Sequence, residues 1–232
     1  MRKILLLQWF DCKDAARERE LVGCIEHNLK LDFDDVVIFN HSVKPGFFGA
    51  RIKNVQAHRR LTYLDFVEMA NDPANFNSLI CLTNTDIKLD ENLPQIVLRA
   101  LKPKQLFCFS RYEADGRLAE FPWCTQDTWA ILSQPIPETI MWQSSIPLGL
   151  PGCENRFAEI FFSAGFAVLN PCLDIKNVHV QLTKSVHEDE KRVFGAYLFV
   201  PACKIDDGNR NAVFPIPVYL LKGADRVFKI AL

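Results

Sequence analysis

The chain has 232 residues, of which 49% are hydrophobic and 24% are charged, a balance typical of a globular protein with a substantial core. Its net charge of −1 argues against a general nucleic-acid-binding protein, which usually carries a basic face. No apolar run approaches the roughly 20 residues of a membrane span, so we expect no membrane-spanning segment.

The eight cysteines are scattered and include no CxxC pair, which argues against a structural zinc site. Several lie inside apolar runs, such as "LICLTN" and "LFCFSR", so we interpret them as buried free thiols. Free thiols favour a reducing compartment, and we expect a cytoplasmic protein. The N-terminal "MRKILLLQWFDCKD" has too short an apolar run for a signal peptide and no small-residue cleavage site, so it predicts a buried strand.

The chain opens with a strand, a helix and a second strand. Residues 3–10 and 34–40 are apolar runs, typical of strands covered on both faces. Between them, apolar residues at helical spacing alternate with charges over residues 14–31. This order predicts an α/β fold whose mainly parallel sheet carries helices on its faces.

Further elements follow in chain order. Residues 41–60 are predicted to form a loop, and Thr62 is expected to cap a helix in which Asp65 completes a capping box. Later strands are predicted over residues 78–87, 105–112, 167–170 and 175–182, and later helices over residues 93–102 and 152–166. Residues 113–132 combine a glycine turn with aromatic and polar residues. The C-terminal end reads as β-rich, with two stretches around a turn at Asp207–Gly208.

Polar side chains follow three of the predicted strands. The three segments are Gln8-Trp9-Phe10-Asp11, Asn84-Thr85-Asp86 and Ser110-Arg111. Ligands of open α/β sheets bind beyond the carboxyl ends of the strands, so we expect these segments to meet at one crevice. In an extended strand, Asn84 and Asp86 would point the same way and present two oxygen ligands to Mg²⁺ or Mn²⁺. The alternative is an Asx-type turn that ends the strand.

Three more positions are candidates for chemistry. Glu154, at the start of the predicted helix in "LPGCENR", is either a general base or a helix cap. His179 in "NVHVQL" is either a metal ligand or an ordinary core or surface histidine. Asp127 in "TQDTW" lies near Trp129, a pair that suits a sugar ring; the alternative is a loop acid beside a core tryptophan.

Six segments in order join these candidates: "RLTYLDFVEMAND", "ICLTNTDIKLDENL", "FCFSRYE", "QDTWAI", "GCENRFAEIFFSAGFAVLNP" and "DIKNVHV". Together they resemble a family of glycosyltransferase-like proteins of bacteria and large viruses with the GT-A fold. The match runs from about Arg60 to His179, around half of the chain. The fifth segment is the most specific, whereas the N-terminal third matches only in pattern and the C-terminal tail barely matches.

The resemblance implies a hexosyl- or deoxyhexosyltransferase that uses Mn²⁺ or Mg²⁺ and a nucleoside diphosphate sugar, with a UDP-sugar favoured. "NTD" stands at the position of the DxD motif, so Asp86 would bind the cation and Asn84 would replace the first aspartate. His179 would be a second metal ligand and Glu154 the base, with Asp127 as the alternative catalytic carboxylate in a retaining enzyme. The relatives' second histidine is missing in "VHVQLTKS".

The same resemblance extends to the donor and to the two halves of the chain. Residues expected at the nucleotide or diphosphate are Gln8, Trp9, Phe10, Asp11, Arg17 (or Arg19 on the same helix), Arg60, Asn84 and Thr85; ordinary solvated helix charge is the alternative for the arginines. Residues 1–110 would form a nucleotide-binding half and residues 111–232 an acceptor-side half of one domain. The chain ends without a closing motif, so this domain is also compatible with being part of a longer chain. The acceptor would be a glycan or another hydroxyl compound.

Two other functions remain open. Asn84 in place of an aspartate is also consistent with a non-catalytic module that binds a nucleotide sugar or a glycan. A metal-dependent phosphohydrolase or nucleotidyltransferase fits the strand-end carboxylate, but such sites usually gather more carboxylates around two metals.

Overall fold

The structure, a computed structural model, describes residues 1–41, 46–181, 192–207 and 216–217. Its strands are β1 Lys3–Trp9, β2 Asp35–Asn40, β3 Ile52–Gln56, β4 Leu79–Thr83, β5 Ile87–Lys88, β6 Gln105–Ser110, β7 Gln126–Leu132, β8 Ala167–Leu169, β9 Val178–His179, β10 Ala196–Tyr197 and β11 Ile216–Pro217. Its α-helices are α1 Ala15–Asn28, α2 Tyr63–Asn71, α3 Leu93–Ala100, α4 Glu138–Gln143 and α5 Cys153–Ser163.

The main sheet has seven strands in the order β3-β2-β1-β4-β7-β6-β8. Six of them run parallel, and β7 runs antiparallel to both of its neighbours. The fold is therefore the predicted α/β fold with a mixed, mainly parallel sheet, and it is consistent with a Rossmann-like arrangement. The strand order reverses between β1 and β4, and a reversal of this kind leaves a crevice beyond the carboxyl ends of the two strands.

Both faces of the sheet are buried because its central strands are apolar on both sides. In β1, Ile4 and Leu6 belong to one apolar cluster, whereas Leu5 and Leu7 belong to the other. Side chains of α2, α4 and α5 complete the first cluster, and side chains of α1 and α3 complete the second. The helices therefore lie on the two faces of the sheet, as the strand–helix alternation predicted.

Local capping supports the start of two predicted helices. Asp14 precedes α1, and its Oδ1 accepts a hydrogen bond from the backbone nitrogen of Ala16 at 2.8 Å. Thr62 precedes α2, and its backbone nitrogen donates to Asp65 Oδ2 at 2.8 Å, which confirms the predicted capping box.

Three elements lie where the sequence did not predict them. β3 falls within the expected loop, because four of its five residues are exposed and an edge strand lacks the apolar run of a central one. β7 falls within the segment described as turn, aromatic and polar residues. α4 has only six residues, too few for a clear apolar period.

Two small sheets accompany the large one. β5 pairs antiparallel with β9, which sets His179 opposite Ile87. β10 pairs antiparallel with β11, so the β-rich C-terminal end is confirmed. Gly208, the second residue of the predicted turn, lies outside the described residues.

All eight cysteines are free, and six of them are buried, as the sequence predicted. Among the described residues, no helix combines the length and the apolar character needed to cross a bilayer.

Candidate functional site

The candidate site lies at the carboxyl ends of β1 and β4, where the strand order reverses. Thr85 Oγ1 donates to the carbonyl oxygen of Gln8 at 2.9 Å, which ties the two strand ends together. Gln8 Oε1 in turn accepts from the backbone nitrogen of Leu61 at 3.1 Å. Both Gln8 and Thr85 are buried, so in this structure they position the crevice and are not exposed to a nucleotide.

Residues 84–87 form a turn directly after β4, with the Ile87 nitrogen 3.3 Å from the Asn84 carbonyl oxygen. Asn84 and Asp86 therefore do not share the extended geometry that the sequence suggested. Their side chains reach different partners, since Asn84 bonds to Asp127 while Asp86 faces Arg17 and His179. A turn does end the strand, but it is closed by backbone atoms, and the Asn84 side chain bonds to Asp127.

Asp86 is the centre of a charged cluster. Its Oδ2 atom accepts from Arg17 Nη2 at 2.5 Å and lies 3.3 Å from His179 Nε2. The Asp86 carbonyl oxygen also accepts from the Val180 nitrogen at 2.9 Å, beside the β5–β9 pair. The other ring nitrogen of His179, Nδ1, lies 3.6 Å from Glu113 Oε2, so the imidazole sits between two carboxylates.

These contacts set the charge states of the Asp86–His179 pair. Burial alone would raise the pKa of Asp86, but His179 and Arg17 outweigh that effect and lower it. Burial alone would lower the pKa of His179, but Asp86 and then Asp127 raise it. The cluster therefore favours an ionised Asp86 beside positive groups.

Asp127 is held at the same end of the sheet because β7 is antiparallel and begins where β4 and β6 end. Its Oδ1 accepts from Asn84 Nδ2 at 2.6 Å, and its Oδ2 accepts from Arg111 Nη1 at 3.1 Å. Burial is the main cause that raises the pKa of Asp127, and the charge of Asp86 adds to it while Arg111 opposes it. Both oxygens of Asp127 thus have fixed partners.

Glu154 lies in the first turn of α5, which begins after Gly152. Burial is the main cause that raises its pKa from 4.5 to about 7, and the charge of Asp127 raises it further. The Cys153 thiol lies within 3.3 Å of Glu154 Oε2. A carboxyl that titrates near neutral pH beside a second acid has the properties of a general acid or base.

The remaining predicted site residues are spread around this cluster. Trp9 is only 5% exposed and packs edge-on against Phe47 at a centroid distance of 5.3 Å, so its ring is not available as an open stacking surface. Phe10 is partly buried against the apolar cluster of α1 and α3, and Asp11 is exposed. Arg60 is exposed, and its Nη1 donates to the Leu148 carbonyl oxygen at 3.4 Å.

Trp129 does not form the aromatic platform suggested for Asp127. Its side chain is 1% exposed, and its ring packs edge-on against Tyr63 at a centroid distance of 4.9 Å. Trp129 is therefore a core residue, which is the alternative that the sequence left open.

The spacing of Asp86 Oδ2 and His179 Nε2 would allow a divalent cation to replace the hydrogen bond between them, provided that His179 is deprotonated at Nε2. Two adjacent ligands of an octahedral ion with bonds of about 2.1 Å lie roughly 3 Å apart, and Asp86 Oδ2 and His179 Nε2 are 3.3 Å apart. Glu113 Oε2 lies 3.6 Å from His179 Nδ1, an ion-pair distance that is longer than the hydrogen bond by which a carboxylate orients a ligating imidazole. Within the described ranges no three His, Cys, Asp or Glu side chains form a metal-binding group, so a cation at this place would have two protein ligands from the described residues.

Two charged residues of the cluster, Glu20 and Glu113, were not named from the sequence, and Arg111 was expected at the crevice without a role. Arg111 follows β6, and its Nε also donates to Glu113 Oε1 at 3.3 Å. Glu20 accepts from Arg17 Nη1 at 2.9 Å. Two sequence patterns could have indicated these residues. Arg111 lies at a strand end, and Arg17 and Glu20 are three residues apart on one helix.

Comparison with known proteins adds no family to these observations. No protein-family model matches the chain, and a search of curated proteins finds no match.

Proposed function

We infer that the protein is a glycosyltransferase that moves a sugar from a nucleoside diphosphate sugar to a hydroxyl acceptor with the help of a divalent cation. The observation that carries this proposal is the convergence of Asp86 Oδ2 and His179 Nε2 at the switch point of the sheet. The resemblance of the motifs from Arg60 to His179 to GT-A glycosyltransferases supports the same conclusion. The proposal includes the finer assignment of this α/β fold as GT-A-like.

Asp86 and His179 would hold Mn²⁺ or Mg²⁺ together with the donor diphosphate. The bound cation supplies charge neutralisation at the leaving diphosphate. Glu113 would add negative charge near Nδ1 of His179, and the lowered pKa of Asp86 would keep its carboxylate ionised for this role. Arg17 and Arg111 add positive charge at the same crevice.

Glu154 would take the proton from the acceptor hydroxyl. Its pKa of about 7 makes the basic form available near neutral pH while keeping it strong enough to accept a proton. Asp127 would position Asn84 and Arg111, because each of its oxygens already accepts a hydrogen bond. This division of roles favours an inverting displacement with Glu154 as the base.

The direct test is release of nucleoside diphosphate from a panel of nucleotide sugars in the presence of Mn²⁺. We expect turnover by the wild-type chain and a loss of at least about 100-fold in Asp86→Asn, because the neutral amide is a much weaker ligand. The exposed Asp115, paired with Arg117, gives the control Asp115→Asn, which should retain wild-type turnover. Equal rates in Asp86→Asn and the wild type would exclude this cation site.

A non-catalytic module that binds a nucleotide sugar is the second candidate. The observation that favours it is the Arg17–Asp86 contact of 2.5 Å, since a guanidinium already neutralises the carboxylate. Tight binding of nucleotide sugars without turnover of any donor, with acceptor supplied, would favour the module.

A further inference from the structure

Arg17 occupies the carboxylate oxygen that the cation needs. Its Nη2 donates to Asp86 Oδ2 at 2.5 Å, the same oxygen that lies 3.3 Å from His179 Nε2. Its Nη1 donates to Glu20 Oε2 at 2.9 Å and to the Val180 carbonyl oxygen at 3.1 Å. The guanidinium is thus held from three sides: by its own helix, by the turn after β4 and by the backbone after β9.

We propose that Arg17 is an internal competitor of the divalent cation, displaced from Asp86 when the cation binds and then used to bind the donor diphosphate. This inference rests on the cation site of the proposed function. A guanidinium and a metal ion would both draw on the negative charge of Asp86 at the side of Oδ2, and their like charges repel each other at short distance. Arg17 and the cation therefore cannot both bind Asp86 Oδ2 with their full affinity.

The free protein has a physical reason for this contact. A partly buried carboxylate without a positive partner is costly, and the side chains of Asp86 and Arg17 are 19% and 17% exposed. Arg17 supplies that partner before the cation arrives. Glu20 can retain the guanidinium by Nη1 when Nη2 leaves, so the displaced group stays at the crevice.

The displaced guanidinium suits a diphosphate. Its planar donors match phosphate oxygens in pairs. Once the cation has released Arg17 from Asp86, the diphosphate no longer has to break that contact in order to bind the guanidinium. The cation and the diphosphate should therefore strengthen each other's binding by the same factor, since coupling between two sites is reciprocal.

The test measures Mn²⁺ affinity directly, by the electron paramagnetic resonance signal of free Mn²⁺ in titrations of the full chain with and without UDP. In Arg17→Met, we expect Mn²⁺ alone to bind about tenfold tighter than in the wild type, because no guanidinium has to be displaced. We also expect the gain in Mn²⁺ affinity that UDP gives the wild type to become smaller in Arg17→Met, because only the direct contact between the diphosphate and the cation then couples the two ligands.

Three variants serve as controls. Arg19→Met makes the same change at an exposed position of the same helix and should leave the Mn²⁺ affinity unchanged. Asp86→Asn should lose the Mn²⁺ site. Arg17→Gln, which keeps a hydrogen-bond donor, should shift the affinity in the same direction as Arg17→Met, and it replaces that variant if Arg17→Met fails to fold.

Wild-type or weaker Mn²⁺ affinity in the folded Arg17 variants would overturn the proposal, and so would the absence of Mn²⁺ binding by every variant. These outcomes differ from failure of the proposed function. A tenfold gain in Arg17→Met without turnover of any donor would leave the competition standing and remove the transferase. Turnover that depends on Asp86, with no effect of Arg17 on Mn²⁺ affinity, would support the transferase and overturn the competition.

Discussion

The amide of Asn84 donates to the Asp127 carboxylate at 2.6 Å, so this position requires a hydrogen-bond donor. An aspartate at position 84 would place two carboxylates in direct contact, and like charges that close cannot both ionise at low cost. The asparagine in "NTD" is therefore explained by its partner on β7.

The variant Asn84→Asp tests this explanation. We expect it to lower the free energy of unfolding by about 2 kcal/mol at pH 7, because the hydrogen bond becomes a repulsion. The double variant Asn84→Asp/Asp127→Asn restores one amide and one carboxylate, and should recover part of the loss in urea unfolding. If Asn84→Asp is as stable as the wild type, the contact does not determine the residue at this position.

Glu154 is expected to make stability depend on pH. Its pKa in the folded protein is about 7, above its ordinary value of 4.5, so the fold favours the protonated form. The stabilisation that it contributes is complete below pH 4.5 and is lost as the pH rises through about 7. A glutamine at position 154 has nearly the same shape and no charge, so the stability of that variant should not fall over this pH range.

In Glu154→Gln we expect the free energy of unfolding to match the wild type near pH 4.5 and to exceed it by up to about 3 kcal/mol at pH 8. Turnover should fall at the same time, because the base is lost. The measurement is urea unfolding at a series of pH values, with Glu91→Gln at an exposed position as the control. Parallel pH profiles for Glu154→Gln and the wild type would contradict the raised pKa.

At the scale of elements, the start of α5 depends on the turn that precedes it. Gly152 has φ of 79°, and a Cβ atom there would lie 2.3 Å from the hydroxyl oxygen of Tyr197. Gly149 has a similar φ of 76°, but a Cβ atom there would meet nothing within 4 Å. A comparison of alanine substitutions at the two positions therefore separates the cost of backbone strain from the cost of a steric clash.

We expect Gly149→Ala to cost about 1 kcal/mol of stability, from the left-handed backbone alone. Gly152→Ala should cost roughly 1–3 kcal/mol more, since it also forces Tyr197 aside. Because α5 carries Glu154, turnover should fall in Gly152→Ala and be retained in Gly149→Ala. Equal losses of stability in the two variants, measured by urea unfolding, would exclude the clash.

Most of the elements that the sequence predicted have a strong local pattern, although the short strands β8 and β9 were also predicted. β1, β2, β4 and β6 are nearly all buried and read as apolar runs, and α1, α2, α3 and α5 have apolar residues at helical spacing. β3 was missed because its residues face solvent. The place of β7 between β4 and β6 follows from long-range pairing, which no local pattern records.

At the scale of the whole molecule, the strand order explains why the site forms. β1 and β4 are neighbours although a helix, β2, β3 and a second helix separate them in the chain. Asp86 was predictable because it follows a buried strand. Its contact with Arg17 was not, since it depends on how α1 packs against the turn after β4.

The same distinction applies to the rest of the cluster. Asp127 joins Asn84 only because β7 runs antiparallel and starts at the carboxyl end of β4. His179 meets Asp86 only because β9 pairs with β5. Residue types and strand ends therefore indicate the candidates, whereas pairing over long distances along the chain assembles the site.

The central claim is that this crevice binds a nucleoside diphosphate together with a divalent cation. Calorimetric titration of the full chain with UDP, and with other nucleoside diphosphates in parallel, tests it most directly when each titration is run with and without Mn²⁺. We expect at least one of them to bind several-fold more tightly with Mn²⁺, and Asp86→Asn to lose that gain. If no nucleoside diphosphate binds under either condition, or if Mn²⁺ changes none of the affinities, the claim is contradicted.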